Sequence, residues 1–546
     1  MRDFFLGGRK LPWLAVTGSI VATEISAVTF LSVPAIVFAA GGNFTYLQLA
    51  IGSVLARIII GVWFVPAYYA REIYSPYDYM GQRLGRPVHN VTSGLFMLGG
   101  VLAQSARVLL TAVVLEQISG FPLWASIWII GAIAIVWTLL GGMTTVIWTD
   151  VIQFFVFALG LVVALVFIVA ELPGGWGEVT TVAGEAGKFK LWDLSCDPHK
   201  AFTLWTALLA NTVLCLGAYG TDQLIAQRMF CCRGAREARK AIIASSVGLV
   251  LTALALTVGA ALYAYYQHSP MSPAAVDRVG GNPDSVFPIF IIERIPAGLT
   301  GLIIAGVFAA AISSLDSILA ALSQTVVTGF YRPWRQRRRP EAVNDDRHYV
   351  RASRVLVVFW GIVLCAMALV AELARKHYGD ILSLALAMAT YTAGGMLGAL
   401  FLSLFRLNVD YRGIVHSAPL SVVMVLAVSW HAPWAVYMTI ALVCVILAAW
   451  LVQLRVGSAG RLWVVIGQTA LLFATAALAV FICAYRSPAS GKPLTVAWPW
   501  NVPIGLAVAF PLGYLLARRR PPSGDDEEEN RQNPPEGGKQ EQCAVQ

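Results

Sequence analysis

Apolar runs of about twenty residues recur from one end of the chain to the other, separated by short polar segments. Each is long enough to cross a hydrocarbon layer as a helix. The pattern predicts spans over about 12–40, 45–70, 90–118, 122–140, 146–171, 201–226, 240–266, 297–328, 352–372, 380–405, 413–431, 434–453, 462–483 and 500–517, about fourteen in all. Ten-residue segments of strict alternation are absent, which sets aside an outer-membrane barrel. The fold class is an all-α polytopic membrane protein.

Polar positions inside these runs carry most of the information. The first span reads Ser19-Ile-Val-Ala-Thr-Glu-Ile-Ser-Ala-Val-Thr-Phe-Leu-Ser-Val-Pro34, small and hydroxyl residues followed by a proline. Such a composition lets a helix break at half depth and free carbonyls to bind an ion. The sixth span has a similar interruption, Leu216-Gly-Ala-Tyr-Gly-Thr-Asp-Gln223. Two interrupted helices five spans apart suggest inverted repeats. In the helix from Ala305, the residues Ala310, Ser313, Ser314 and Ser317 fall on one face with Asp316 at its edge. Lipid cannot receive that stripe, so it is either half of a cation site or a small-residue seam between helices. Glu24, Arg57, Arg107, Asp150 and Asp316 interrupt or border apolar runs, and an intramembrane ionisable group points to function. Arg57 and Asp150 fit equally well at a membrane interface, snorkelling to water.

Composition adds orientation and exclusions. Hydrophobic residues make up 58% of the chain and charged residues 13%, with a net charge of +9. The basic residues gather in three stretches, Arg228 to Lys240, Arg332 to Arg354 and Arg518 to Arg520, which places these stretches and both termini in the cytoplasm. Clustering in loops argues for topology and against nucleic acid. The amino-terminal stretch lacks the apolar core of a cleaved signal. The eight cysteines show neither a disulfide framework nor zinc-ligand spacing, and the seven histidines form no catalytic motif, so an enzyme is not expected.

Five motifs in order resemble the sodium/solute symporter family, which includes the sodium-glucose and sodium-proline carriers. They are Phe5-Leu-Gly-Gly-Arg-Lys-Leu-Pro-Trp13, Ala22-Thr-Glu-Ile-Ser-Ala27, Gly141-Gly-Met-Thr-Thr-Val-Ile-Trp-Thr-Asp-Val-Ile-Gln153, Gly220-Thr-Asp-Gln-Leu-Ile-Ala-Gln-Arg228 and Ala309-Ala-Ala-Ile-Ser-Ser-Leu-Asp-Ser317. The resemblance implies a LeuT-like core over 1–410, with inverted repeats at about 12–171 and 201–405, further membrane helices over 411–518 and a disordered cytoplasmic tail over 519–546. Family members usually carry a helix ahead of the first motif, whereas this chain opens on it.

Carried over by position, the resemblance implies a sodium site from the carbonyls of Ala22, Ile25 and Ala310 and the hydroxyls of Ser313 and Ser314. Neutral oxygens suit a hard monovalent cation that must bind and leave. Asp150 and Ser317 match a second cation site found in some members, and Asp316 departs from their pattern as an extra carboxylate. Four positions that hold sugars in sugar-carrying relatives correspond here to Val28, Ala50, Cys215 and roughly Leu386, so most of that polar set is missing. Glu24, Thr29, Ser53, Tyr219 and Gln223 remain as substrate contacts. Arg107 would clamp a carboxylate and favour an organic anion such as a sugar acid, unless it pairs internally with Glu24 or Glu116.

The function expected is sodium-coupled symport of a small polar solute, a sugar, sugar acid or other organic anion, by alternating access in the plasma membrane. A proton-coupled symporter and a non-transporting sensor or channel on the same fold are the rival readings.

Overall fold

The computed structural model describes residues 6–518 except 26, 72, 141–142, 282, 340–345, 379–386, 406, 408, 431–436, 438–439, 442–443, 446–447, 449–461, 487–492 and 494. Among the described residues, ten helices are long and apolar enough to cross a membrane, and eleven if the bent pair at the start is one span. That pair is α1 (Trp13–Glu24) and α2 (Ala27–Phe38), inclined by 55° across the break. The others in chain order are α3 (Phe44–Tyr69), α4 (Arg86–Ser119), α5 (Leu123–Leu140), α6 (Thr144–Glu171), the shorter α7 (Thr206–Gly220), then α8 (Gln223–Phe230) and α9 (Ala235–His268). They continue with α10 (Ala297–Arg338), α11 (Arg347–Leu373), α12 (Ala387–Leu404), α13 (Arg412–Ser429), the shorter α14 (Ile466–Ile482) and α15 (Trp498–Leu516).

Each expected span has a helix at its place except 434–453, which lies mostly outside the described residues, as does the tail over 519–546. The count of fourteen is therefore not established. One boundary differs in an informative way. The span expected to end near Val327 continues through a π-helical turn, Val327–Tyr331, into the basic segment Arg332–Arg338.

Both expected breaks are present. The first segment, α1, starts behind Pro12 and stops at Glu24, where Ile25 leaves the helix with φ −81 and ψ 105. Ile25 still donates its N–H to the Val21 carbonyl at 2.9 Å, so the carbonyls from Ala22 onward lie at the end of the ladder. In the sixth span, α7 ends at Gly220, and Asp222 in extended conformation caps α8 by accepting the Leu224 N–H at 2.8 Å. α1 packs on α6 and α10, α2 packs on α9, and α15 lies against α12 and α13. Close approach is achieved through glycine: a Cβ on Gly52 of α3 would lie 2.1 Å from the Ala207 carbonyl of α7.

Candidate functional site

Where the two breaks face each other the helices enclose a cavity of about 280 Å³, near the lower end of small-molecule sites. Thr23, Glu24, Ile25 and Thr29 reach it from the first break, Ser53 from α3, Tyr219 and Asp222 from the second break, and Gln104 and Arg107 from α4. Gln104 and Arg107 are three residues apart and so share a helix face. Of the substrate residues expected from sequence, Glu24, Thr29, Ser53, Arg107 and Tyr219 line this space. Ala50 and Cys215, at two of the sugar-carrier positions, also line it, while the side chain of Val28 and all of Leu386 lie outside the described residues.

Gln223 is not among the lining residues. Capping by Asp222 turns the chain into α8 so that Gln223 is fully buried, its amide donating to the Tyr74 carbonyl at 2.9 Å and to Gln324 Oε1 at 3.3 Å. Asp222 takes its place at the cavity wall. Asp222 and Gln104 join the wall without having been expected from the sequence, where the helix-start pattern at Asp222 is the usable signal.

The charges in this region are paired selectively. Arg57, fully buried, forms an ion pair with Glu24 and hydrogen-bonds Ser53, while its Nε donates to Ser245 Oγ at 3.0 Å. The Tyr219 hydroxyl also donates to Glu24, and the Arg57 guanidinium lies 4.5 Å from the Tyr219 ring centroid. This network ties both breaks to α3. Arg57 does not snorkel; burial holds it because Glu24 and three hydroxyls satisfy it. Glu24 is thus committed to Arg57. The guanidinium of Arg107, half-buried in the cavity wall, makes no hydrogen bond or ion pair with any described residue, so the internal pairing with Glu24 or Glu116 is not formed. A positive fork faces the cavity, and the side-chain carbonyl oxygen of Gln104 beside it is buried with no partner among the described residues.

Beneath the cavity lies a second charge cluster. Asp150 of α6 accepts from Ser19 Oγ of α1 on Oδ2 and from Ser313 Oγ of α10 on Oδ1, both at 2.5 Å. It also pairs with Arg228 at 2.9 Å. Asp150 is fully buried, not interfacial. Arg228 was expected in a cytoplasmic loop, but α8 carries it into the core at 1% exposure. There it donates to Ser19 Oγ at 2.8 Å, to the Leu224 carbonyl at 2.7 Å and to Ser317. The oxygens of Asp150 and Ser317, expected to hold a second cation, are therefore engaged by a cation that belongs to the protein. Asp316 receives Ser317 Oγ on Oδ1 at 3.1 Å, and its Oδ2 is buried with no partner among the described residues.

The expected sodium ligands lie at the end of α1 and on α10, which pack against each other. Ala22 and Ile25 are buried at the end of α1, Ser313 and Ser314 are fully buried on α10, and Ala310 lies one turn before them on the same helix. By donating its proton to Asp150, Ser313 keeps both lone pairs for a cation and becomes a more negative oxygen. The donor set is made of hard oxygens, as sodium requires.

Comparison with known proteins places this architecture. The family model for the sodium:solute symporter family matches residues 4–419. The chain is 29% identical over 416 residues to the sodium-coupled monocarboxylate transporter 2 of Mus musculus, covering 76% of this chain and 64% of that protein. It is also 29% identical over 417 residues to the sodium/iodide cotransporter of Homo sapiens, covering 76% and 62%. The chain thus matches less than two thirds of the length of these relatives. Among solved structures, a Na+-coupled sialic acid symporter in a substrate-bound outward-open state superposes with a TM-score of 0.70 at 22% identity, covering 95% of this chain and 93% of that one. This likeness shows the LeuT-like fold.

Proposed function

Because the chain belongs to the sodium:solute symporter family, we propose that it is a secondary active transporter in which sodium drives uptake of a small organic monocarboxylate. The observation that carries this reading is Arg107: a guanidinium with no hydrogen bond or ion pair among the described residues, at a mostly apolar cavity, offers two parallel donors to one carboxylate. The buried Gln104 carbonyl beside it accepts a hydroxyl or N–H of the same solute. Glu24 and Asp222, both at the cavity wall, disfavour a second negative charge. Two relatives named for anionic cargo, the monocarboxylate and iodide transporters, support the choice of an anion over a sugar.

Sodium binds first, between the end of α1 and the Ser313 and Ser314 turn of α10. Its ligands are Ala22, Ile25, Ala310, Ser313 and Ser314. Joining α1 to α10 fixes the first break, and with it Glu24, Thr23 and Thr29, so that the cavity takes the shape the solute needs. The solute carboxylate meets Arg107, both sites close from the outside, and the core rocks to release them inward. The repeats at about 12–171 and 201–405 supply the moving halves, and helices from 411 onward brace them. Uptake places it in the plasma membrane, and the charge distribution supports an orientation with the basic stretches and both ends of the chain in the cytoplasm.

The test is ligand-induced thermal stabilisation of the purified protein. Short monocarboxylates raise the melting temperature in sodium and not in potassium, and Arg107→Gln abolishes the shift. Stabilisation by neutral sugars instead, or an undiminished shift in Arg107→Gln, overturns the reading.

A further inference from the structure

A second cavity, of about 370 Å³, opens where the end of α10 meets the start of α4, and shares no lining residue with the transport site. Arg86 and Asn90 of α4 line one side, and Phe330, Trp334, Arg337 and Arg338 of α10 line the other. No lining residue is acidic. Three guanidinium groups thus converge on one space without a carboxylate among them. Two of the walls are built: Arg86 donates to the Gly329 carbonyl, which the π-helical turn exposes, and the Arg338 guanidinium stacks 4.6 Å over the Trp334 ring. The turn is held tightly, since a Cβ at Gly329 would come within 2.8 Å of His89.

The location argues for a lipid anion. This is the level at which the apolar α10 gives way to the basic segment Arg332–Arg338. Phe330, Tyr331 and Trp334 form the aromatic band typical of the headgroup region, and Trp334 is 50% exposed. The arginine excess marks this as the cytoplasmic leaflet, where anionic lipids collect. A soluble phosphate compound would need only the arginines, whereas the adjoining exposed Trp334, with Phe330 and Tyr331 half-buried beside it, suits a glycerol backbone and acyl chains.

We propose that this cavity binds the phosphodiester headgroup of an anionic phospholipid, with Arg86, Arg337 and Arg338 holding the phosphate and Trp334 lying along the acyl chains. Clamping α4 to the end of α10 steadies the two helices that carry Arg107 and Ser313.

The experiment titrates the purified full-length protein with dioctanoyl phosphatidylglycerol, dioctanoyl phosphatidylcholine and inorganic phosphate, reading the melting temperature. Phosphatidylglycerol raises it at concentrations where phosphatidylcholine and inorganic phosphate do not. In the variant carrying Arg337→Gln and Arg338→Gln, both exposed positions, half-maximal stabilisation needs about thirtyfold more lipid. Equal stabilisation by both lipids, stabilisation by inorganic phosphate alone, or an unchanged titration in the double variant overturns the proposal. Should the double variant fail to fold, the wild-type comparison of the three compounds decides it.

Discussion

Ser313 carries two duties: it is a sodium ligand in the proposed site, and it hands its proton to Asp150 at 2.5 Å. Ser313→Ala therefore weakens the apparent sodium affinity about tenfold or more, equivalent to about 1.4 kcal/mol, with a smaller effect on expression. Sodium dependence of thermal stabilisation measures it, and an unchanged dependence removes Ser313 from the ligand set. Asp150 and Arg228 form a buried pair, so neutralising one strands the other. Asp150→Asn costs about 3–5 kcal/mol of stability, and adding Arg228→Gln restores part of it; a double-mutant cycle in mild denaturant reads the coupling. These roles were only half visible in the sequence. An ionisable residue in an apolar run is conspicuous, as Glu24, Arg57 and Asp150 were, but its partner is not. Arg57 finds Glu24 across 33 positions and Asp150 finds Arg228 across 78. Arg228, set among the arginines and lysine of a basic stretch, read as one more loop charge.

At the scale of elements, most of the fold was legible because span length and apolarity are local properties. The breaks were legible too, since Ser, Thr, Gly and Pro inside an apolar run disturb a helix wherever it packs. What the sequence did not yield is direction after a break. Asp222 capping α8 sends Gln223 away from the cavity and leaves Asp222 on its wall, a one-residue change in register that only the turn geometry decides. The stripe on α10 also proved continuous, since Asp150 joins the proposed sodium ligand Ser313 to the Arg228 and Ser317 pair beneath it. Element contacts give a further prediction. Gly52→Ala drives a methyl into the Ala207 carbonyl and pries α3 from α7. A loss of about 1–3 kcal/mol follows, read as a lower melting temperature in detergent, with transport falling because Ser53 and Arg57 move with the helix.

For the whole molecule, charge balance sets what the sodium gradient can do. One sodium per neutral solute would draw on both terms, about 2.3 kcal/mol per charge at 100 mV and about 1.4 kcal/mol for a tenfold gradient. On the reading that Arg228 stands in for a second cation beside Asp150 and Ser317, one sodium accompanies each monocarboxylate, no net charge moves, and accumulation is only about tenfold for a tenfold gradient. Uptake is then indifferent to a potassium diffusion potential, and a voltage-driven increase would show that a further cation travels.

Whether sodium drives solute uptake through this protein is read from the accumulation of radiolabelled short monocarboxylates in proteoliposomes. Accumulation driven by an inward sodium gradient, absent in potassium and lost in Arg107→Gln, is the expected result. Uptake driven by a proton gradient without sodium, or retained by Arg107→Gln, would contradict it.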